Sequence, residues 1–195
     1  MKLFFLSAIS WFISLFSAEH NPAKKHYVGE AFGGGIIFNL DEDKEHGLIV
    51  SIKQLSNSAV WGPSKNIPNC ESWEDGATNT ASIMSNGGTS SCAAGLCDAY
   101  SHEGFDDWYL PGLKELKYLG WNSEKVNKTL KKLKDADMLD IKWQHWSSTE
   151  VTDGSRYDPK TTAAYSALDP ADISAYGSLV GDKTDRYRVR AIRAF

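Results

Sequence analysis

The chain has few cysteines, and their spacing is not typical of a structural zinc site or a thioredoxin-like centre. Among 195 residues there are three, Cys70, Cys92 and Cys97, and none of them forms a C-x-x-C pair. Outside the cytosol, an odd count allows one internal disulfide and one free thiol. We expect Cys70 and Cys92 to form the disulfide, because both lie at or next to loops, and Cys97 to be a small buried residue.

An excess of positive charge is also lacking. The 25 acidic residues outnumber the 21 basic ones, for a formal net charge of −4, whereas proteins that bind phosphate backbones are usually basic. The densest lysine cluster, in residues 125–134, has no aromatic residues between its lysines. We interpret it as the solvated side of an amphipathic helix, so the composition disfavours nucleic acid as a partner.

The sequence signatures of several enzyme classes are absent. There is no G-x-S-x-G nucleophile elbow, no H-x-x-x-H zinc-binding helix among the five histidines, and no EF-hand spacing. A hydrolase of the two-carboxylate type would need a second carboxylate close to Glu150, and the arginines near the C-terminus are its more obvious neighbours. We therefore predict a protein without enzymatic activity and without catalytic residues.

No apolar run has the length of a typical transmembrane helix. The longest, residues 3–16, follows a lysine and precedes Ser17-Ala18, which is typical of a secretory signal. We predict that residues 1–18 are a signal peptide, with an uncleaved membrane anchor as the alternative. Residues 19–32 would be a polar leader and residues 33–195 a single domain without a transmembrane span. The protein would be secreted, periplasmic or held at the cell surface.

The body of the chain combines helix and strand patterns, with aromatic residues at 12% and seven tryptophans that can bury much apolar area. Two apolar segments around a charged tip predict a hairpin, and residues 53–76 read as a long ordered loop. Helices and later strands are predicted from caps, apolar periodicity and alternation. The predicted strands cover 36–40, 47–52, the region around Trp143 and Trp146, 161–168, 174–180 and 187–194; the predicted helices cover 81–84 and 93–100 and begin after Pro111 and at Ser123.

Three motifs mark the fold more strongly than any chemistry. They are GFDDWYLPGLKEL at residues 104–116, HWSSTE at 145–150 and RYRVRAIRAF at 186–195. With GGGIIF at 33–38 and AGLC at 94–97, they resemble a family of bacterial secreted domains that includes the C-terminal domain of the Legionella collagen-like adhesin. The resemblance covers nearly the whole chain after the leader.

This resemblance implies an α+β, C-type-lectin-like single domain with antiparallel strands and two to four helices. Most members of the family have no assigned function and no established enzymatic activity. The named adhesin binds sulfated polysaccharide as a trimer on a collagen-like stalk. This chain has no Gly-x-y repeat, so trimerisation is not implied and the oligomeric state stays open.

We predict that most charged residues in these motifs stabilise the fold rather than bind a ligand. The carboxylates of Asp106 and Asp107 would cap the following helix and pair with an arginine; a carbohydrate or calcium site at these residues and Trp108 is the alternative. Glu150 would form a bidentate pair with an arginine of the last strand, or those arginines would bind sulfate groups. The predicted structural clasp comprises Asp106, Asp107, Trp108, Trp146, Glu150, Arg188 and Arg190.

We expect a binding protein with an adhesin-like role, whose ligand is a glycan or an envelope or matrix protein. Exposed rings in the loops 53–76 and 151–185 would stack on sugars. The alternatives are a structural envelope protein and, on the same loops, a hydrolase or oxidase. The candidate ligand-binding residues are Trp61, Trp73, Tyr157, Tyr165 and Tyr176.

Calcium is the one cofactor that the sequence suggests, because several loops carry carboxylates that could supply oxygen ligands. Solvated turn residues are the competing interpretation, and no residue is assigned to a metal. The acidic residues concerned are Asp41, Asp43, Glu45, Asp169, Asp172, Asp182 and Asp185.

Overall fold

A computed structural model describes residues 25–152, 156–171 and 179–195. Within them the chain forms an α+β fold, as predicted, with four helices and two sheets. The helices are α1 (Gly76–Ser85), α2 (Ala93–Asp98), α3 (Leu113–Trp121) and α4 (Ser123–Leu130). The strands are β1 (Ala31–Phe32), β2 (Gly35–Leu40), β3 (Gly47–Ser51), β4 (Ser56–Ala59), β5 (His145–Glu150), β6 (Thr162–Ser166), β7 (Leu179–Asp182), β8 (Tyr187–Val189) and β9 (Ile192–Ala194).

One sheet has the strand order β1-β2-β3-β9 and the other the order β4-β8-β5-β6-β7. All pairings are antiparallel except that of β5 with β8. The predicted hairpin is confirmed as β2 and β3, joined by an exposed charged tip over 41–46. The predicted strand over 174–180 lies mostly outside the described residues.

The β2–β3 hairpin separates two hydrophobic clusters. Successive side chains of a strand point to opposite faces of the sheet, so Ile37 and Ile49 enter one cluster with Trp61 and Trp146. Ile36, Phe38 and Val50 enter the other, where they meet α3 and α4. Both faces of this hairpin are therefore buried, which explains why its apolar residues run consecutively rather than alternate.

The last strand is not continuous, contrary to the prediction over 187–194. It breaks at Arg190 and Ala191, so that β8 belongs to the five-stranded sheet and β9 to the four-stranded one. Ala191 accepts a backbone hydrogen bond from Ser51 instead of continuing the first ladder, and Ile192 exchanges backbone hydrogen bonds with Tyr109. This break fastens the two sheets to each other.

The first helix begins earlier than its sequence suggests. The polar run at 78–80 predicts an N-terminal cap, but α1 begins at Gly76, and Asp75 caps it by accepting a hydrogen bond from the backbone N–H of Thr78 at 2.9 Å. Asn79 and Thr80 lie inside the helix, where each bonds a neighbouring loop or strand. The segment 53–76, predicted to be all loop, also contains the short strand β4.

The side chain of Glu115 caps the start of helix α3, a role that was predicted for Asp106 and Asp107. Its Oε2 accepts hydrogen bonds from the backbone N–H groups of Gly112 at 2.7 Å and Gly76 at 3.1 Å, and its Oε1 accepts the hydroxyl of Tyr109 at 2.9 Å. A Cβ on Gly76 would lie 2.4 Å from the nitrogen of Gly112. Glycine is therefore needed where α1 meets the start of α3.

The clasp uses other partners than those predicted. Asp107 forms the bidentate pair, with Arg193, through distances of 2.6 Å and 2.8 Å, and Arg193 lowers the pKa of Asp107. Arg188 pairs with Asp140 at 2.9 Å, and Arg190 donates to the backbone oxygen of Asp137. Neither contacts Glu150 in the described ion pairs; Asp106 is exposed, whereas Trp108 and Trp146 are buried.

The predicted disulfide between Cys70 and Cys92 is not formed. All three cysteines are buried free thiols. Cys70 donates to the backbone oxygen of Ser148 at 3.3 Å, whereas the sulfur of Cys92 accepts from Gly95 at the start of α2. Burial raises the pKa of the Cys70 thiol to about 12, so this thiol is neutral and hydrogen-bonded in the core.

The partner of Glu150 is Lys183, and both side chains are fully buried. The Lys183 ammonium donates a hydrogen bond to Glu150 Oε1. It also donates to the backbone oxygens of Lys65 and Pro159, at 2.7 Å in both cases. Its Nζ lies 4.4 Å from the ring centroid of Trp61, a cation–π contact. The carboxylate also accepts the N–H of Ile67. Burial opposes both charges, raising the pKa of Glu150 and lowering that of Lys183.

We expect Lys183→Met to reduce the free energy of unfolding by about 3–5 kcal/mol, because it leaves a buried carboxylate without its counter-ion. The double variant Lys183→Met/Glu150→Leu should recover much of this loss, since it buries no charge. Urea denaturation measures both. The exposed Lys114–Glu74 pair is the matched control, and Lys114→Met should change stability little. Equal effects of Lys183→Met and Lys114→Met would show that the buried pair is not a structural determinant.

Candidate functional site

The five residues predicted to bind ligand do not form one surface. Trp61 is fully buried and donates its indole N–H to Ser147 O at 2.8 Å, so its predicted role in stacking on a sugar is wrong. Tyr165 is half-buried and packs against Tyr187, with ring centroids 4.5 Å apart. Tyr157 is half-buried beside Arg156. Trp73 is 47% exposed and lies near α3, and Tyr176 lies outside the described residues.

A groove with an exposed tryptophan at its rim lies at the end of the five-stranded sheet. It encloses about 550 Å³, within the range of ligand sites. Trp143 is 59% exposed, and its ring centroid lies 5.8 Å from Cζ of Arg188, which lines the groove. We call this feature the Trp143 groove. Its lining residues are Gln54, Asn57, Asp137, Met138, Leu139, Asp140, Ile141, Lys142 and Arg188.

Arg188 organises the polar side of the Trp143 groove. Strand β8 places it opposite β4, where it donates a hydrogen bond to the side-chain oxygen of Asn57. On its other side Nη2 lies 2.9 Å from Asp140 Oδ2. The guanidinium is thus held between an amide, a carboxylate and the Trp143 ring. This arrangement presents hydrogen-bond donors and acceptors beside an exposed aromatic face.

Hydrogen bonds hold Gln54 and Asp137 in place in the lining of the groove. The N–H of Gln54 donates to Asp137 Oδ2 at 3.0 Å, and the amide of Gln54 donates to the oxygens of Ser56 and Val189. The backbone oxygen of Asp137 accepts a hydrogen bond from buried Arg190 at 2.7 Å. The polar groups are therefore already positioned before any ligand binds, which lowers the entropic cost of binding.

A buried histidine supports the rim. The Nδ1 atom of His145 lies 2.9 Å from the carbonyl oxygen of Trp143, so Nδ1 carries the proton and donates it. The ring is fully buried, and burial lowers the pKa of His145 to about 3, with Arg190 and Arg188 adding electrostatic repulsion. His145 is therefore neutral near pH 7, and its donor holds the backbone of Trp143.

A second, smaller cavity of about 290 Å³ lies between the β2–β3 hairpin, α3 and the end of the chain. Its polar lining includes Asp41, His46, Glu74 and Lys114, with Tyr118 at one side. Glu74 and Lys114 form an ion pair across its mouth. The two cavities are lined by different residues, so they are separate features of the surface.

The carboxylates suggested as calcium ligands are used in turns. Asp43 accepts the N–H of Glu45, and Asp182 accepts the N–H and the hydroxyl of Thr184. Asp169 caps a turn in the same way, whereas Asp172 lies outside the described residues. In the described part of the chain, no group of three or more His, Cys, Asp or Glu residues could hold a metal ion.

Several groove residues are not apparent from the sequence. Asn57 lies far along the chain from Asp137 and Asp140, and Trp143 was predicted only to flank a strand. The one local signal is the run Asp135–Asp140, which mixes acidic and apolar residues between a lysine-rich helix and the β region. Such a run predicts a partly buried loop, but does not reveal that the loop faces β8.

Comparison with known proteins gives a distant structural likeness. No family model and no curated protein matches the chain. Among solved structures, a fimbrial protein from Bacteroides ovatus is similar, with a TM-score of 0.53 and 17% identity. The match covers 75% of this chain and 35% of that protein, so this chain corresponds to about a third of its length. At this identity the likeness shows the fold alone.

No helix in residues 25–152, 156–171 or 179–195 is long and apolar enough to cross a bilayer.

We expect the stability of the protein to fall as the pH is lowered from 6.5 towards 3, because folding requires neutral His145 whereas the unfolded chain can protonate it. Between pH 7 and pH 5, this one residue should reduce the free energy of unfolding by about 2 kcal/mol. His145→Asn, whose amide can still donate to Trp143, should remove that part of the pH dependence. Urea denaturation at both pH values tests this, and identical pH dependence in the two proteins would contradict it.

Proposed function

We propose that this protein is a glycan-binding module with an adhesin-like role at the cell surface or outside the cell, and that sugar binds in the Trp143 groove. The observation that carries the proposal is the exposed Trp143 ring beside the Arg188–Asp140 pair in an open groove of about 550 Å³. An exposed aromatic ring next to fixed polar groups offers a surface on which a sugar can stack while its hydroxyl groups form hydrogen bonds.

The chemistry of the groove suits a neutral sugar. The C–H groups on one face of a pyranose can pack on the indole, while its hydroxyl groups meet the polar wall. Arg188 supplies donors, Asp140 supplies acceptors and Asn57 supplies both. Because Asp137 and Asp140 balance Lys142 and Arg188 in the lining, an anionic sugar meets no net positive charge there. We therefore propose a neutral hexose or a chain of neutral hexoses.

Binding explains the two carboxylates of the groove better than hydrolysis does. A glycosidase uses one carboxyl group as an acid and a second as a nucleophile or base, with room for the sugar between them. Asp140 is paired with Arg188, and Asp137 accepts the N–H of Gln54. Both carboxylates therefore already hold protein groups in place, and the proposal includes no catalytic step.

The surface location rests on coarser support. The predicted signal at residues 1–18 would direct the chain out of the cytosol, and the fold is similar to that of a fimbrial protein. The C-type-lectin-like topology and the kinship with the Legionella adhesin domain remain proposals of the same kind. A structural envelope role, without a sugar ligand, is the competing proposal.

We expect the purified full-length protein to bind neutral glycans on an array, and Trp143→Ala to weaken that binding at least about tenfold through the loss of stacking. Titration of the best neutral glycan by calorimetry gives the two affinities. Binding should persist with a calcium chelator, because Arg188, Asn57 and Asp140 make the polar contacts themselves.

Trp121→Ala is the matched control, since Trp121 is 51% exposed but lies on helix α3, away from the groove. It should leave glycan affinity unchanged. If the array shows no bound glycan, with or without the calcium chelator, the structural envelope role is favoured. If Trp143→Ala binds as tightly as the unmodified protein, the groove is not the site.

A further inference from the structure

Helices α3 and α4 present a second surface, on which lysines and aromatic rings are interleaved. On α3, Lys114, Lys117, Tyr118 and Trp121 follow the spacing i, i+3, i+4, i+7 and so share one side of the helix. Lys117 Nζ lies 5.7 Å from the ring centroid of Trp73, in the loop before α1.

Helices α3 and α4 pack side by side on the same hydrophobic cluster. Their solvent-facing sides therefore form one surface. Leu116 and Leu119 of α3 and Val126 and Leu130 of α4 are all buried with Phe38 of the β2–β3 hairpin. On α4, the opposite side carries only exposed charged residues, mostly lysine. We call this surface the basic aromatic face. It comprises Trp73, Lys114, Lys117, Tyr118, Trp121, Lys125, Lys128, Lys131 and Lys132.

The two tryptophan rings of this face are exposed, and the partly buried ring of Tyr118 lies beside one of them. Trp121 is 51% exposed and Trp73 47% exposed. The rings of Tyr118 and Trp121 lie 5.5 Å apart, and Lys114 Nζ lies 5.9 Å from the ring of Tyr118. The face therefore combines amphipathic rings with flexible cations whose alkyl chains can lie along them.

The charge of the face is opposite to that of the rest of the protein. Residues 113–134 contain seven lysines and two acidic residues, a formal charge of +5, in a chain whose total is −4. One of the two acids, Glu115, is buried and holds the start of α3, so it does not face outward. Charge complementarity calls for an extended anionic partner.

We propose that the basic aromatic face docks on an anionic lipid surface, with α3 and α4 lying parallel to the bilayer. Trp and Tyr rings favour the headgroup region, where one edge is apolar and the other hydrated. Lysines around them attract anionic headgroups and extend their ammonium groups towards the water. A soluble acidic polymer would satisfy the lysines but would give no comparable reason for the two exposed tryptophan rings beside them.

The course of the chain fits this orientation. Thr129 of α4 donates a hydrogen bond to the backbone oxygen of Gly29 at 2.6 Å, and Tyr27 nearby is 63% exposed. The chain therefore reaches the domain beside α4. In sequence, the apolar run 3–16 lies nine residues before Lys25, a span of at most about 30 Å. A retained run would hold the basic aromatic face close to the bilayer.

Co-sedimentation of the full chain with vesicles tests the proposal. We expect binding to phosphatidylcholine vesicles that contain phosphatidylglycerol to exceed binding to pure phosphatidylcholine vesicles about tenfold or more, and to weaken at high salt. Lys125→Glu/Lys128→Glu should abolish this preference for anionic vesicles. Lys53→Glu, a charge reversal outside the face, is the control and should keep it. Residues 3–16 are the same in all variants, so any insertion of this apolar run into the vesicles does not contribute to the differences between variants.

Brominated lipid reports on contact with the rings. The loss of tryptophan fluorescence intensity, at equal protein concentration, should be smaller in Trp121→Phe than in the unmodified protein and the same in Trp143→Phe. Equal binding to neutral and anionic vesicles would overturn the proposal, as would a charge-reversal variant that keeps the preference. Binding of polygalacturonate through the same lysines, without binding to anionic vesicles, would replace the lipid with an acidic polymer. Matching thermal melting curves ensure that all variants are folded.

Discussion

The buried pair of Lys183 and Glu150 is the interaction on which the arrangement of the loops depends. The three N–H groups of the ammonium reach the end of β5 and the carbonyl oxygens of Lys65 and Pro159, so three distant segments converge on one charge. Removing water from both groups is unfavourable, and only complete pairing offsets this. The loops must close around the pair in one arrangement, because any opening would expose or unpair a buried charge.

Strand β5 connects the buried ion pair to the candidate site. Its last residue is Glu150, and its first is His145, whose ring holds the backbone of Trp143. Every residue between them is buried, so the strand cannot shift at one end alone. The rim of the Trp143 groove is thus fixed by a fully packed strand that is anchored by charge at its far end. Such support from rigid elements is what a site needs to keep its geometry.

The sequence allows the local elements of this fold to be predicted, but not its long-range partners. Two apolar runs around a charged tip predicted the β2–β3 hairpin, and apolar periodicity predicted α4, because these signals lie within a few neighbouring residues. Lys183 stands in a polar turn, Gly181–Asp185, which reads as solvated, and lysine is rarely buried. Likewise, Trp61 and Trp143 look alike in the sequence; only the folded chain covers the first and leaves the second exposed. The break at Arg190 depends on pairing with Tyr109, far away in the chain.

The two proposed surfaces are joined by one short connection, which makes their relative orientation a property of the fold. Asn127 of α4 forms two hydrogen bonds with the backbone of Leu139, at 3.0 Å and 2.7 Å, and Leu139 lines the Trp143 groove. Its neighbour Lys128 belongs to the basic aromatic face. Leu139 is also buried in the same cluster as Val126 and Leu130, so the groove loop packs directly against α4. A module that lies on a lipid surface through α4 would therefore hold its sugar-binding groove at a fixed angle to that surface.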